Sequence, residues 1–340
     1  MPNRAAVMTA LNEIRIEDRA IPEPGPHDAV VRIEAVGVCG SDHSYFVRGR
    51  IGDYIVNGPI ILGHETSGVV ETVGSEVSNV APGDRVAIEP GTPCRNCREC
   101  RAGRYHLCPD LVFLATPPYD GALLEHMLID SRNLFPIPNS MTFEQAALLE
   151  PLSVGIWACK RAGLMPGDDV LVTGAGPIGL VSASAARAFG ARTVTITDVS
   201  DFRLGLAESM GFKTERSDAP SENDFDVLIE CSGAPGVLAA GMRRLRPAGR
   251  AAMVGMSKED LIGLPLAQLN PNELTIGTVN RYNNTWPIAI ELVASGRVDV
   301  MPLITHRFTL DQTAEALTIG ERVTDSVKAI IHPQQHPVGA

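Results

Sequence analysis

The stretch Val170-Leu-Val-Thr-Gly-Ala-Gly-Pro-Ile-Gly179 decides the fold. Its apolar start predicts a buried strand, and the GxGxxG spacing predicts a tight turn that opens a helix. Glycines let the backbone approach a pyrophosphate, and the helix N-terminus offers free N–H groups and a positive dipole end. The pattern alone is weak evidence, but its place between a strand and a helix favours a dinucleotide site. The residues of the predicted turn are Gly174, Gly176, Pro177, Ile178 and Gly179.

Asp198 follows Gly179 by 19 residues, at the end of the next predicted strand. A carboxylate there accepts hydrogen bonds from ribose hydroxyls and repels a 2′-phosphate, which favours NAD over NADP. Arg203 would instead favour NADP, because a nearby arginine can accommodate a 2′-phosphate. With Asp198 in place, we expect Arg203 to pack against the adenine or the ribose. The alternative is an ordinary glycine turn followed by a surface aspartate.

The pattern of predicted strands and helices changes near Glu150. Short apolar runs broken by Pro and Gly precede it and predict a mainly β region, whereas strands alternate with helical stretches from Asp169 onward. That alternation predicts a doubly wound α/β domain with a parallel sheet. The 340 residues suit two domains. We predict a catalytic domain over 1–150, a dinucleotide-binding domain over 151–284, and a return segment over 285–340.

A cysteine cluster with the spacing C-x2-C-x2-C-x7-C indicates a tetrahedral zinc site. Four thiolates within 15 residues can enclose one metal and leave no open position, so we expect a structural role. The alternative is four unligated thiols, which would oxidise readily at this density. The four residues are Cys94, Cys97, Cys100 and Cys108.

A second candidate metal site combines Cys39 with His64 and Glu65, which lie 25 and 26 residues further along the chain. Thiolate, imidazole and carboxylate together suit a catalytic metal. Each residue alone is more often a core or surface residue, so the prediction rests on their occurrence beside the other two motifs. Glu150 is a candidate fourth ligand or a partner to metal-bound water; otherwise it is an ordinary carboxylate at a helix end.

Charge and composition narrow the class of protein. The formal net charge of −11 disfavours nucleic acid and anionic membranes as partners. No apolar stretch reaches membrane-spanning length, and the first residues show no secretory signal. Seven cysteines, an odd number, argue for reduced thiols rather than a disulfide scaffold. We therefore expect a cytoplasmic enzyme with a small-molecule substrate.

At several further points the chain resembles the zinc-containing medium-chain dehydrogenases, in their sorbitol (polyol) dehydrogenase branch. The resemblance covers almost the whole length, and the second and last of the following segments are the most diagnostic of the branch. They are Gly37-Val-Cys-Gly-Ser-Asp42, Arg48-Gly-Arg-Ile-Gly-Asp53, Leu62-Gly-His-Glu65, Ala115-Thr-Pro-Pro118, Glu150-Pro-Leu-Ser-Val-Gly155, Gly174–Gly179 and Arg281-Tyr-Asn-Asn-Thr-Trp-Pro287.

This resemblance implies a GroES-like domain, a Rossmann domain, two zinc ions, NAD and a homotetramer. It implies a catalytic zinc held by Cys39, His64 and Glu65, with Glu150 beside its water. The implied substrate contacts, including a proton-transferring Ser41, are Ser41, Tyr45, Phe113, Thr116, Arg281 and Tyr282. The implied cofactor contacts beyond the turn are Asp198, Arg203, Val254, Gly255, Met256, Val279, Asn280 and Arg281.

One position departs from the family pattern. Relatives often carry a histidine of a proton relay five residues after the zinc cysteine, where this chain has Ser44. The histidine here is His43, one residue early, and a shift by one residue can reverse the direction of a side chain. We therefore keep His43 as a candidate relay residue.

The sequence thus predicts reversible oxidation of a polyol to a ketose. Zinc would lower the pKa of the reacting hydroxyl, and NAD would accept the hydride. One alternative is another secondary alcohol, such as threonine, a vicinal diol or a sugar phosphate. Arg281 could bind the carboxylate of threonine or the phosphate of a sugar phosphate. A more distant alternative is a protein without catalysis on the same fold.

Overall fold

The computed structural model describes residues 2–221, 224–257, 261–264 and 266–335, and the chain divides into two compact units. The first unit runs to Glu150 and resumes at Ile304; the second comprises Pro151–Leu303. No helix in the described ranges combines the length and apolar character needed to span a bilayer.

The elements up to the domain boundary are β1 (Asn3–Ala10), β2 (Glu13–Arg19), β3 (Asp28–Gly37), α1 (Gly40–Arg48), β4 (Arg50–Ile51), β5 (Tyr54–Ile55), β6 (Ile60–Ile61), β7 (Glu65–Val73), β8 (Arg85–Ile88), β9 (Gly91–Thr92), α2 (Arg98–Arg101), β10 (Val112–Phe113), β11 (His126–Asp130), β12 (Leu134–Pro136) and α3 (Phe143–Ala147). Those that follow are α4 (Leu149–Arg161), β13 (Asp169–Thr173), α5 (Pro177–Ala188), β14 (Thr193–Asp198), α6 (Asp201–Ser209), β15 (Lys213–Arg216), β16 (Phe225–Glu230), α7 (Val237–Met242), β17 (Leu245–Met253), α8 (Leu266–Leu269), β18 (Thr275–Thr278) and α9 (Trp286–Ala294). The returning chain adds β19 (Ile304–Thr309), α10 (Thr313–Arg322) and β20 (Lys328–His332).

The largest sheet of the first unit is built around β3. Its strand order is β12-β8-β7-β3-β20-β19, and β11 also pairs with β3. The returning strand β20 runs antiparallel to β3, with Ile331 opposite Val36 and Ile330 opposite Gly37. Ile331 is buried in one core with Val31 and Ile33 from β3. The C-terminal segment therefore completes the sheet next to Cys39.

The second unit contains a six-stranded parallel sheet in the order β15-β14-β13-β16-β17-β18. All five residues of β13 are buried, as expected for a strand covered on both faces. The strand order reverses at β13, whose neighbours are β14 and β16, and ligands of open α/β sheets bind at such a switch point. This architecture confirms the α/β class predicted from the sequence.

The return segment begins later than predicted. We expected it at residue 285, but the structure places Trp286–Ala294 in the second unit and starts the return at Ile304. The physical reason is burial. Trp286 and Leu292 of α9 are buried, and the Trp286 ring lies edge-on to Tyr282 of the same unit, with 6.1 Å between ring centroids.

Candidate active site

Three side chains with metal-ligating atoms converge in the first unit. Cys39, His64 and Glu65 each offer one such atom, and these atoms all lie within 4.8 Å of one another. Gly37 of β3 pairs with Glu65 of β7, which brings distant parts of the chain to one end of the sheet. The donor set suits zinc, and three protein ligands leave a position open for a substrate oxygen. The structure thus brings together the three residues that the sequence predicted.

Asp42 organises two of these three residues. Its carboxylate accepts hydrogen bonds from the Cys39 N–H at 3.0 Å and the Gly63 N–H at 2.9 Å, and it lies 3.6 Å from Nδ1 of His64. Burial alone would lower the pKa of His64, but the charges of Asp42 and Cys39 raise it well above its usual value. Orienting a ligand histidine through its second nitrogen is a common feature of metal sites. This role of Asp42 could not be predicted from the sequence, because an aspartate in a first helical turn is ordinary.

Glu65 has a buried cationic partner from the returning chain. The Lys328 ammonium donates to both carboxylate oxygens of Glu65, at 2.7 and 2.8 Å, and to the carbonyl of Val38 at 2.9 Å. Gly37 leaves room for the carboxylate, since a Cβ there would lie 2.1 Å from Oε2 of Glu65. Burial lowers the pKa of Lys328, but the charges of Glu65, Cys39 and Glu150 outweigh burial and raise it. Lys328 had no signal in the sequence.

Glu150 and Ser41 lie in the same unit as the ligand group. Glu150 is buried in the first turn of α4, but it is not a member of the three-residue group formed among the described residues. The structure therefore does not place it as a fourth ligand. Ser41 is half-buried in the first turn of α1. Its role in proton transfer stays a prediction.

His43 faces away from the ligand group. Its Nδ1 lies 2.9 Å from the carbonyl of Leu317, and its Nε2 lies 3.2 Å from the carboxylate of Glu321, both on α10. Successive side chains on a helix are about 100° apart, so Asp42 turns to the ligands while His43 turns to α10. The assignment of His43 to a proton relay is therefore wrong.

The first unit holds three further residues with predicted substrate contacts. Phe113 is buried with its ring 5.6 Å from the His64 ring, which makes it an apolar wall beside the ligand group. Thr116 is half-buried and follows Ala115, which has a left-handed φ of 56°. Tyr45 is buried on α1. Their contacts with substrate stay predictions.

The four cysteines of the second motif also form one group, with ligand atoms all within 4.8 Å. Backbone N–H groups of Cys94, Cys97 and Cys100 donate to sulfur atoms of the cluster at 3.3–3.4 Å. N–H donors of Asn96 and Cys97 lower the pKa of Cys94 to about 7, whereas burial and neighbouring thiols raise that of Cys100 to about 12. A divalent cation would offset the repulsion among four thiolates, and this closed set fits a structural zinc.

In the second unit, the glycine-rich turn has the geometry that the motif requires. Gly174 has a φ of 91°, and a Cβ on Gly179 would lie 1.8 Å from the carbonyl oxygen of Gly174. Gly176 is the N-cap of α5, and Pro177 and Ile178 occupy its first turn. The free N–H groups of this helix end can bind a pyrophosphate.

Asp198 is joined to the turn. Its carboxylate accepts hydrogen bonds from the Ala175 N–H at 2.7 Å and the Ser200 N–H at 2.9 Å. Each oxygen keeps a further lone pair for a ribose hydroxyl. The guanidinium of Arg203 lies beside Gly176, 4.0 Å from where a Cβ would stand. This places Arg203 at the turn, and its predicted contact with adenine or ribose stays a prediction.

The remaining predicted cofactor and substrate residues lie on loops after strands of this sheet. Val254 and Gly255 donate through their N–H groups to the carbonyl of Glu230, at 2.8 and 2.9 Å, and Met256 is 74% exposed. Val279 and Asn280 follow β18. Arg281 has a left-handed φ of 52°, whereas Tyr282 is buried against Trp286. Burial gives Tyr282 a packing role, and its contact with substrate stays a prediction.

Comparison with known proteins identifies the family. The alcohol dehydrogenase GroES-like domain matches residues 25–139, and the zinc-binding dehydrogenase domain matches 177–295. Sorbitol dehydrogenase of Homo sapiens is 44% identical over 327 residues, 92% of this chain and 91% of that protein. The enzyme of the same name from Bacillus subtilis is 41% identical over 344 residues, 98% of both chains.

Solved structures give the same result. An Escherichia coli oxidoreductase of unknown specificity superimposes with a TM-score of 0.91 at 32% identity, covering 98% of this chain and 99% of that one. Galactitol-1-phosphate dehydrogenase from Escherichia coli gives 0.89 at 30% identity, covering 97% and 100%. The chain therefore belongs to the zinc-binding dehydrogenases with a GroES-like domain. Within them it lies in the sorbitol dehydrogenase branch, which confirms the resemblance seen in the sequence.

Proposed function

We propose that this protein interconverts a polyol of the sorbitol or xylitol type and the corresponding ketose, with NAD as the hydride carrier. The observation that carries the proposal is the convergence of Cys39, His64 and Glu65 beside Phe113, in a chain whose second unit holds a glycine-rich dinucleotide turn. Sorbitol dehydrogenases as relatives at 41–44% identity support the polyol as substrate.

The residues of the ligand group would hold the catalytic zinc. When bound, zinc acts as a Lewis acid that lowers the pKa of the alcohol, and NAD accepts the hydride. Asp42 fixes Cys39 and Gly63 through hydrogen bonds to their N–H groups, and its charge lies beside Nδ1 of His64. Ser41 would accept the hydroxyl proton while passing its own outward, and the Glu150 carboxylate would receive that one proton through water. Cys94, Cys97, Cys100 and Cys108 would hold a second, structural zinc.

The substrate would be recognised through hydroxyl groups away from the reacting carbon. We propose that Arg281, Tyr45 and Thr116 bind them and that Phe113 covers the carbon chain. A sugar phosphate is the second candidate substrate, because galactitol-1-phosphate dehydrogenase is a structural neighbour and an arginine can bind a phosphate. On the cofactor side, Asp198 would bind the adenosine ribose.

A substrate screen tests this proposal. NADH formation would be measured with sorbitol, xylitol, ribitol, galactitol-1-phosphate, 2,3-butanediol and threonine, with NADP⁺ in parallel. We expect the highest kcat/KM for a C5 or C6 polyol with NAD⁺. A higher value for the phosphate ester would favour the second candidate, and a higher value for threonine or butanediol would overturn the polyol assignment.

We further propose a cytoplasmic homotetramer. β18 lies at an edge of the parallel sheet, and its Ile276 is exposed, so this edge can pair with a second copy. The hairpin formed by β4 and β5 exposes Tyr54 and Ile55, which offers a second apolar patch. None of the seven cysteines forms a disulfide, which fits a reducing compartment. Light scattering on the purified protein would give four times the mass of one chain.

A further inference from the structure

Glu230 is a buried carboxylate that the proposed chemistry does not use. It ends β16, and its exposed fraction is 3%. Among the residues that the structure describes, no lysine, arginine or histidine forms an ion pair with it. A buried charge without a counterion is costly unless several donors satisfy it. The groups that donate hydrogen bonds to the Glu230 side chain therefore indicate its role.

One carboxylate oxygen of Glu230 accepts several hydrogen bonds from the loop that follows β16. Oε1 accepts hydrogen bonds from the Ser232 N–H at 2.7 Å, the Ser232 hydroxyl at 2.5 Å and the Gly233 N–H at 2.9 Å. The hydroxyl of Thr173, the last residue of β13, lies 3.5 Å from the same atom. The carboxylate thus fixes the loop after β16 to the strand that leads into the glycine-rich turn.

The same loop packs against two others without space for side chains. A Cβ on Gly174 would lie 3.1 Å from the backbone of Ser232, and a Cβ on Gly233 would lie 2.5 Å from the carbonyl oxygen of Met256. A Cβ on Gly255 would lie 2.2 Å from the Gly233 N and 2.7 Å from Oε2 of Glu230. Three loops therefore meet around the Glu230 carboxylate. They are the glycine-rich turn and the Val254–Met256 loop, which contain predicted cofactor residues, and the Ser232–Gly233 loop between them.

This cluster lies on one side of the switch point. Asp198 ends β14, on one side of β13, whereas Glu230 ends β16 and Met253 ends β17, on the other side. A dinucleotide spans such a crevice with its two halves on opposite sides. Since Asp198 would bind the adenosine ribose, the loops beside Glu230 lie on the side where the nicotinamide half would bind.

We propose that Glu230 is a positioning residue for the nicotinamide half of NAD, because its side chain holds the Ser232–Gly233 loop. That loop packs against the glycine-rich turn on one side and against the Val254–Met256 loop on the other. This inference rests on the proposed function. Glu230 would act as a hydrogen-bond acceptor rather than as a negative charge, since the donors converge on a single oxygen. A glutamine side chain also offers one such oxygen, that of its amide. Glu230→Gln should therefore keep most of the function that Glu230→Ala loses.

The test measures the dissociation constants of NADH and of 5′-AMP for the full-length, zinc-loaded protein. Glu230→Ala should raise the Kd for NADH about tenfold or more, because the N–H groups of Ser232 and Gly233 lose their acceptor and the loop is no longer fixed. The Kd for AMP should change less than about twofold, and Glu230→Gln should restore NADH binding to within about threefold. Glu215→Ala is the matched control: Glu215 pairs with Arg244 on the far β15 edge, so its loss should lower Tm without changing the ratio of the two constants.

Each other result overturns the inference. Equal loss of NADH and AMP binding in Glu230→Ala would mean general damage to the unit, and unchanged NADH binding would mean no role. If Glu230→Ala does not fold, the same ratio is measured in Glu230→Asp, whose shorter side chain withdraws the acceptor; an unchanged ratio there overturns the inference. A wild type that binds neither ligand would refute the proposed function itself, which is distinguishable from a loss confined to the variants.

Discussion

The ammonium of Lys328 lies 2.7 and 2.8 Å from the two carboxylate oxygens of Glu65, and both side chains are at most 3% exposed. The two residues are 263 positions apart in the chain. The pair therefore connects the strand that completes the first unit to a residue of the candidate catalytic metal site. A buried carboxylate that can ligate a metal is thus held in place by a cation of the protein.

Removing that cation should make the protein more dependent on zinc. Lys328→Met leaves Glu65 buried without a partner in the metal-free protein, which costs about 3–5 kcal/mol of unfolding free energy. Bound zinc supplies a replacement charge, so the loss should be smaller in the loaded protein. The rise in Tm on zinc loading should therefore be larger in the variant than in the wild type. Lys160→Met, at an exposed position, is the control, and an equal rise in both proteins would contradict the prediction.

Asp42 should control zinc affinity without ligating the metal. In Asp42→Asn, the amide NH₂ must face one of two N–H donors, from Cys39 or Gly63, and the anionic partner of His64 is lost. We expect zinc affinity to fall about 10–100-fold, measured by competition with a chromophoric chelator. Asp84→Asn, which removes the carboxylate that caps a turn at Ala81, should leave the affinity unchanged. Equal affinities in Asp42→Asn and the wild type would refute the role.

The sequence predicted the two metal groups for different reasons. The cysteines from Cys94 to Cys108 are so close in the chain that their spacing alone implies closure around one ion. Cys39 and His64 needed the other motifs as support. Lys328 could not be predicted, because only the pairing of β20 with β3 brings it to Glu65. The error at His43 has the same origin, since its direction depends on contacts with α10.

Cofactor preference should depend on Asp198. With the carboxylate present, NADP⁺ places a 2′-phosphate against a like charge and loses the ribose hydrogen bonds. Such a loss is worth about 2 kcal/mol, or roughly thirtyfold in kcat/KM. Asp198→Ala should reduce or reverse the NAD⁺ preference, with Arg203 favouring the phosphate. A wild type that uses NADP⁺ as well as NAD⁺ would show that this assignment is wrong.

Arg281 should discriminate polyols from simple alcohols. Arg281→Ala should lower kcat/KM for sorbitol, because a distant hydroxyl loses its donor. The loss corresponds to about 1–3 kcal/mol of transition-state stabilisation. Turnover of 2-propanol, which lacks that hydroxyl, should change much less. If Arg281 contacts only the cofactor, both alcohols would be slowed equally and KM for NAD⁺ would rise, which would exclude a substrate role.

The most direct test is the zinc content of freshly purified, active protein and of two variants, measured with sorbitol turnover on the same samples. We expect two zinc ions per chain in the wild type. His64→Ala should retain one and lose turnover while still binding NADH, whereas Cys97→Ser should lose the other and unfold at a lower temperature. One zinc or none in active wild-type protein, or full turnover in His64→Ala, would refute the proposed roles of the two metal sites.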